Sequence, residues 1–311
     1  MKPAIAAIAN KIDFDGLTMA KNNTANIVGT AGTPPTGLIT YLTAGAYLDS
    51  EGAPRDGRRS CIIEPFTSAT IVDSLKGLFM PSDKISDQYS KGMMGRDSAG
   101  VSWYMDQNVV SQTFGSYATA TLSCDTATGT GFLTSGWAST STIALTAATA
   151  TAGLKQGDVI QIAGIYAVNP QNRQAYGSNK LRNFVVTSNV TVATSGTTSV
   201  TVSPAVITAG QFQNVNLAST SASAVVTPFN NTGTVSPQNI IMHKNAFTLA
   251  TADLELPDGV VFAGRASDKE LGLSMRVVRQ YTINNDSIPT RVDVLYGWAP
   301  LYPELACRVA A

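Results

Sequence analysis

One histidine, three cysteines, a few acidic pairs and one arginine cluster are the groups in this sequence with the means to do chemistry. His243 would have to serve any Ser–His–Asp or Cys–His site, and an ordinary zinc site wants further His or Cys close by. Its setting, "NIIMHKNAF", mixes apolar and polar residues and suits a structural or surface histidine. Cys61 lies in the apolar run "SCIIEP", where a thiol is more often an inert core group than a nucleophile. A Cys61–His243 pair stays open on sequence grounds, with nothing local in its favour. Cys61, Cys124 and Cys307 are odd in number and widely spaced, so they form no CxxC pair and no disulfide framework, which favours a reducing compartment.

The acidic pairs Asp13/Asp15, Asp253/Glu255 and Asp268/Glu270 meet a different obstacle. Acid–base catalysis needs two carboxyl groups converging across a pocket, and residues two apart point the same way only in a strand. All three pairs read as solvated or salt-bridged surface acids. Arg55, Arg58 and Arg59 sit in "APRDGRRS", which lacks the glycine spacing of a phosphate loop and reads as a charged turn, with a partner-binding turn as the alternative. The aromatic groups Trp103/Tyr104 and Tyr296/Trp298/Tyr302 have no interleaved basic residues for stacking on bases, so core packing or a subunit contact is expected. The sequence therefore assigns no catalytic, cofactor-binding or metal-ligating residue and no cofactor, and the chain is not read as an enzyme.

The elements that would position these groups fall into two compositions. Of 311 residues, 44% are apolar, which is enough for a substantial core, and 21 basic residues balance 21 acidic ones, so the broad positive field of a dedicated DNA binder is missing. No apolar run approaches the roughly 18–20 residues needed to cross a bilayer. Asn10, Lys11 and Asp13 interrupt any signal-like core, so a soluble protein used without export or membrane attachment is expected. Between Gln112 and Asn239 the only charges are Asp125, Lys155, Asp158, Arg173, Lys180 and Arg182, and Asn183 through His243 carries none. This middle reads as β: "VIQIAG" alternates, "NFVVTSNVTVAT" and "TTSVTVS" are β-branched runs joined by a hairpin-like Ser195–Gly196, and "SASAVVTPF" adds another. A small antiparallel barrel or sandwich is expected there, with Ala118–Ala152 open between linker and strand.

The flanks are mixed. "GLITYLTAGAYLDSEG" sets Leu38, Leu42 and Ala46 on one helical face, "RRSCIIEP" feeds a strand through Ile62 and Ile63, and Ile71, Val72, Leu75, Leu78 and Phe79 stripe a second helix up to Pro81. Burying those five side chains contributes roughly 1.5–3 kcal/mol each, more than the roughly 1 kcal/mol cost of Gly77 in a helix. "GLSMRVVRQYTINNDSIPTRVDVLYG" predicts a long hairpin around Asn-Asn-Asp. The opening "MKPAIAAIANKIDFDGLTMAKN" is helical through Ile5, Ile8 and Ile12 but lacks an N-cap residue, so Met1 is expected to lie within a longer helix.

The ordered set "IANKIDFDGL", "APRDGRRSCIIEP", "VDSLKGLF", "ISDQYSKGMMG", "WYMDQNV", "GDVIQIAGIYAVNP", "LRNFVVT" and "SIPTRVDVLYGWAPLYPELA" resembles the coat-protein family of short-tailed phages, of the Salmonella-phage type. The resemblance implies an α+β, Hong Kong 97-type capsid fold with a spine helix, peripheral and axial domains, and an inserted all-β barrel. It implies division into 1–111 (spine helix and first part of the core), 112–238 (inserted β-barrel) and 239–311 (return to the axial domain and the peripheral hairpin). It also implies a major capsid protein, residing in the virion and assembled in the host cytoplasm. Its copies would form hexamers and pentamers of an icosahedral shell, with a scaffolding protein during assembly, a portal at one vertex and packaged DNA touched non-specifically inside. The family's arm, extended loop and first half of the spine have no counterpart here, so the native product is expected to extend upstream. The alternative is a β-rich receptor-binding or adhesive protein, suggested by the Thr/Ser-rich middle.

Overall fold

A computed structural model describes residues 2–75, 98–117, 121–148, 152–177, 179–194, 196–230, 233–267 and 273–311. The expected Gly77, Leu78, Phe79 and Pro81 of the second flank helix, the motif over residues 85–95, Ser195 and the Asp268/Glu270 pair lie outside these residues, as does the side chain of Leu75. In chain order the elements begin with α1 (Lys2–Asn23), β1 (Ile27–Gly29), α2 (Leu38–Ser50), β2 (Arg59–Ile63), α3 (Pro65–Leu75), β3 (Ser102–Met105) and β4 (Ser111–Thr113). Then come β5 (Leu122–Cys124), β6 (Ser141–Ala147), β7 (Ala152–Leu154), β8 (Val159–Ala167), β9 (Leu181–Val186), β10 (Val190–Val192), β11 (Thr198–Ser203), β12 (Val215–Leu217) and β13 (Ala224–Pro228). The chain ends through β14 (Val235–His243), β15 (Phe247–Ala252), β16 (Phe262–Ser267), β17 (Ser274–Arg279), β18 (Thr290–Pro300) and β19 (Ala306–Ala310). The fold is thus mixed α+β, with strands predominating.

The first sheet runs β1-β19-β14-β2-β3, with β4 paired to the first part of β14. β1 lies parallel to β19 and β2 parallel to β3, while the other ladders are antiparallel. Tyr41, Ala44 and Leu48 of α2 and Ile71 of α3 pack on one face against Cys61, Ile63, Trp103, Ile241, Cys307 and Val309. Leu17 and Ala20 of α1 cover Ile240 on the other face. Helix α2 therefore buries a different stripe from the expected one. Leu42 is 46% exposed, because packing of Tyr41, Ala44 and Leu48 on the sheet settles the rotation of the helix.

The second sheet runs β12-β8-β13-β5-β6-β11-β9, and β9 also pairs back to β8, so six of its strands form a closed circuit of hydrogen bonds. Leu122, Cys124, Ile143, Leu145, Phe184, Val186, Val200 and Val202 fill its interior. The 118–152 stretch that sequence left open holds β5, β6 and the start of β7, with β6 alternating buried and less buried residues as a one-faced strand does. Of the two runs expected to meet across Ser195–Gly196, the first contributes β9, which pairs β11 antiparallel, while its second part, β10, pairs β7, and β11 also pairs β6. This sets Val200 opposite Ile143 and Val202 beside Val186, with all four side chains fully buried.

The third sheet, β15-β18-β17-β16, is antiparallel, and its β17–β18 hairpin turns through Asn284, Asn285 and Asp286 as expected, with Asp286 left-handed at φ 44°. Helix α1 anchors it. The Trp298 indole N–H donates to the Ile12 carbonyl at 2.9 Å, and the Tyr296 hydroxyl donates to Asp15 at 2.7 Å. Gly16 makes this approach possible, since a Cβ there would lie 2.6 Å from the Trp298 ring.

Gly16→Ala is accordingly expected to lower stability by about 1–3 kcal/mol through overpacking. Gly45→Ala, in the interior of α2 with nothing within 4 Å of an added Cβ, is expected to raise it by roughly 0.5–1 kcal/mol. Urea denaturation of the two variants checks the opposite signs.

Candidate functional site

The groups singled out for chemistry are built into the scaffold. His243, 1% exposed at the end of β14, has both ring nitrogens engaged: Nδ1 accepts from the Asn245 backbone N–H at 3.3 Å, which leaves Nε2–H to donate to Asp56 at 3.2 Å. Cys61 pairs in register with Ile241 and lies in the core, where burial pushes its thiol up, far from a reactive thiolate. Cys307 is pushed up in the same way and Cys124 to about 11, and all three thiols are buried and free.

Arg59 is buried and donates to Asp49 at 2.7 Å and to the Ala53 carbonyl at 2.6 Å, while Arg55 also pairs with Asp49. One carboxylate thus holds two guanidiniums. Asp13 accepts from Asn108 at 2.7 Å, with its carboxyl raised by burial and by Asp106. Asp15 is lowered by its hydrogen bonds from Lys11 and Tyr296, and Asp253 pairs with Arg265 at 3.3 Å. Trp103 packs against Tyr41 with ring centroids 5.0 Å apart, whereas Tyr104 and Tyr302 are exposed. Among the described residues, no group of three His, Cys, Asp or Glu is placed to hold a metal ion.

The arrangement with the greatest energetic consequence was not expected from sequence. It joins the first sheet to the second. Asp158, fully buried in the turn before β8, accepts from the Gln112 side chain at 2.9 Å and from the backbone N–H groups of Gly115 at 3.0 Å and Lys155 at 2.9 Å. The Gln112 carbonyl oxygen accepts from the Lys21 ammonium of α1 at 2.7 Å. Arg308 of β19, also fully buried, donates to the Gly157 carbonyl at 2.9 Å. Burial raises the Asp158 carboxyl, against the pull of these donors and of Arg308, and burial lowers Arg308 to about 10.

A second joint lies on the α2 side. Glu51, just past the end of α2, pairs with Arg182 of β9 at 2.5 Å with both side chains buried, and the Asn169 side chain donates to the Ser50 carbonyl at 2.8 Å. Burial raises Glu51 and Arg182 pulls it back. The clue was in the sequence: Asp158 and Arg182 are two of the six charges left in a stretch otherwise free of them. A charge retained in such a segment marks a place where a partner from outside compensates it.

Removing one member of the second joint leaves a buried charge unmatched. Glu51→Leu and Arg182→Met are each expected to cost about 3–5 kcal/mol, while the double variant costs far less than their sum. A double-mutant cycle by urea denaturation measures the difference. The first joint predicts a pH effect. Burial and the charge of Arg308 lower Lys21 to about 8, from an ordinary 10.5. Across that window the unfolded chain binds a proton that the folded chain does not, so Lys21 makes stability rise with pH from about 8 to 10.5. The buried thiols act in the opposite direction, so the measurement is the wild-type profile minus that of Lys21→Met, which is expected to slope upward over the window.

Residues 1–308 match the family model described as P22 coat protein, gene protein 5. Among curated proteins no match is found. The match spans nearly the whole chain and makes this a major capsid protein of the phage shell, located in the virion; a receptor-binding or adhesive role is not favoured. The family is one of structural coat proteins, not of enzymes, and shell formation implies association between copies. The chain belongs to the P22 coat protein family.

Proposed function

We propose that the subunit tiles an icosahedral shell of hexamers and pentamers as a Hong Kong 97-type unit carrying an inserted β-barrel. In this reading α1 is part of the spine, the β15–β18 sheet is peripheral, and the first sheet with α2 and α3 is axial. Residues 1–111, 112–238 and 239–311 are the first part of the core, the insert and the return. One observation carries the insertion. Thr113 of β4 lies opposite Val235 of β14, the Phe114 N–H donates to the Thr234 carbonyl at 3.0 Å, and the Gly233 N–H donates to Gly115 at 3.2 Å. The chain thus leaves toward the second sheet and comes back side by side, and the closed circuit of six strands supports a barrel between those points. The partners proposed for this shell are a scaffolding protein during assembly, a portal at one vertex and packaged DNA touched non-specifically on the inner face. No helix among the described residues is long and apolar enough to cross a membrane.

Deleting residues 118–234 removes Asp158 and Arg182 and strands Arg308, Lys21 and Glu51 without their countercharges. The expected product is insoluble or aggregated. A soluble deletion variant that assembles at the wild-type level would overturn the stabilising role. Negative-stain microscopy of the full chain co-expressed with scaffolding protein is expected to show closed shells, and fibres or single globules would overturn the shell reading.

A further inference from the structure

We propose that the acidic loop 253–258 of one subunit seats in a groove between α2 and the 55–59 turn of a neighbouring copy, as a head-to-tail contact. The inference rests on the shell reading and names a surface for it. The groove encloses about 500 Å³ and is lined by Leu42, Ala46, Arg55, Gly57 and Val101, among others. Its apolar wall exists because α2 turns Tyr41, Ala44 and Leu48 inward and leaves Leu42 outward. Arg55 and Arg59 line it with Asp49, and the turn that carries them is cationic. Arg55 and Arg58 are 78% and 60% exposed, and Lys244 adjoins them through its backbone N–H to the Arg58 carbonyl at 3.2 Å. With Arg59 these are four cations against the carboxylates of Asp49 and Asp56, leaving two positive charges in excess.

The loop "DLELPD" has the complementary character. Arg265 offsets Asp253, and Arg276, which shares Asp293 with Arg291, donates to the Glu255 backbone carbonyl at 2.5 Å, whereas the exposed Glu255 and Asp258 carboxylates have no ion pair among the described residues. Between them Leu256 is 41% exposed. The occupant is therefore an apolar side chain flanked by two carboxylates, set against an apolar groove beside a turn whose cations outnumber its carboxylates. Lys244 and the loop lie beyond opposite ends of the six-residue β15, which spans about 17–20 Å at strand rise, so the loop does not reach this turn of its own subunit. A contact between unlike surfaces leaves a free groove and a free loop at each step, and it closes into a ring when the rotation allows.

Charge exchange tests this on the full chain. Glu255→Lys with Asp258→Lys, and separately Arg58→Glu with Lys244→Glu, are each expected to cut shell yield at least tenfold while leaving circular dichroism and the urea midpoint unchanged. Combining all four substitutions is expected to recover most of the yield. Single sets that assemble at the wild-type level, or a combined variant no better than either set, would overturn the contact while leaving the shell reading intact. Leu42→Cys with Leu256→Cys supplies a check independent of yield. Mild oxidation of assembled shells should give a ladder of crosslinked subunits, and its absence would also overturn the contact. Wild-type chain that forms no shells in the same preparation would instead bring down the shell reading, and this inference with it.

Discussion

A carboxylate with no access to water constrains everything around it, and in this subunit that group is Asp158. Left unmet, its burial would cost several kcal/mol. It is met by a side-chain amide from β4, two backbone N–H groups and the field of Arg308. Lys21, Gln112, Asp158 and Arg308 lie far apart in sequence, so one network registers α1, β4, the approach to β8 and the interior strand β19 against one another. The Glu51–Arg182 pair fixes a second point. An apolar joint of the same area could be as stable, yet it would tolerate sliding. Two buried polar joints hold a single relative setting of the two sheets.

Burial is unevenly shared among the three sheets. The first two enclose packed cores, whereas in the β15–β18 sheet the one buried residue among those described is Ser274. A four-stranded sheet without a covered face is marginal in isolation. Here α1 secures it through Trp298, Tyr296 and Asp15, while Phe262, Leu295 and the neighbouring Leu256 remain exposed. Under the proposed shell reading, this exposed apolar area is available for contact between copies.

Sequence pattern revealed elements where burial follows local periodicity. The alternation in "VIQIAG" marked β8, the Asn-Asn-Asp turn marked the β17–β18 hairpin, and the apolar setting of Cys61 marked a core thiol. Pattern failed where tertiary packing chose among local options. Helix α2 has apolar residues on two faces, and contact with Cys307 and Val309, far along the chain, selects Tyr41 and Leu48 over Leu42. Strand β10 leaves its sequence neighbour for β7 for the same reason. The polar joints were invisible as pairs because their members lie 46, 91, 131 and 151 residues apart. What sequence did carry was the anomaly of isolated charges in an uncharged stretch, and recognising it required asking what each charge was for.

The same chain uses charge in two separate regimes. Zero net charge removes long-range repulsion between many close-packed copies, but it also removes long-range steering. Ion pairs within the joints are desolvated, so salt hardly screens them. Exposed pairs such as Asp253–Arg265 act only within a Debye length of about 8 Å at physiological ionic strength and weaken as salt rises. Folding is thereby insulated from conditions that loosen association. A shell assembled through several modest contacts per subunit can correct misplaced copies, because each contact is weak alone and the closed set is strong together. That error correction is possible only if the released subunit keeps its shape, and the buried joints at Asp158 and Arg182 are what preserve it.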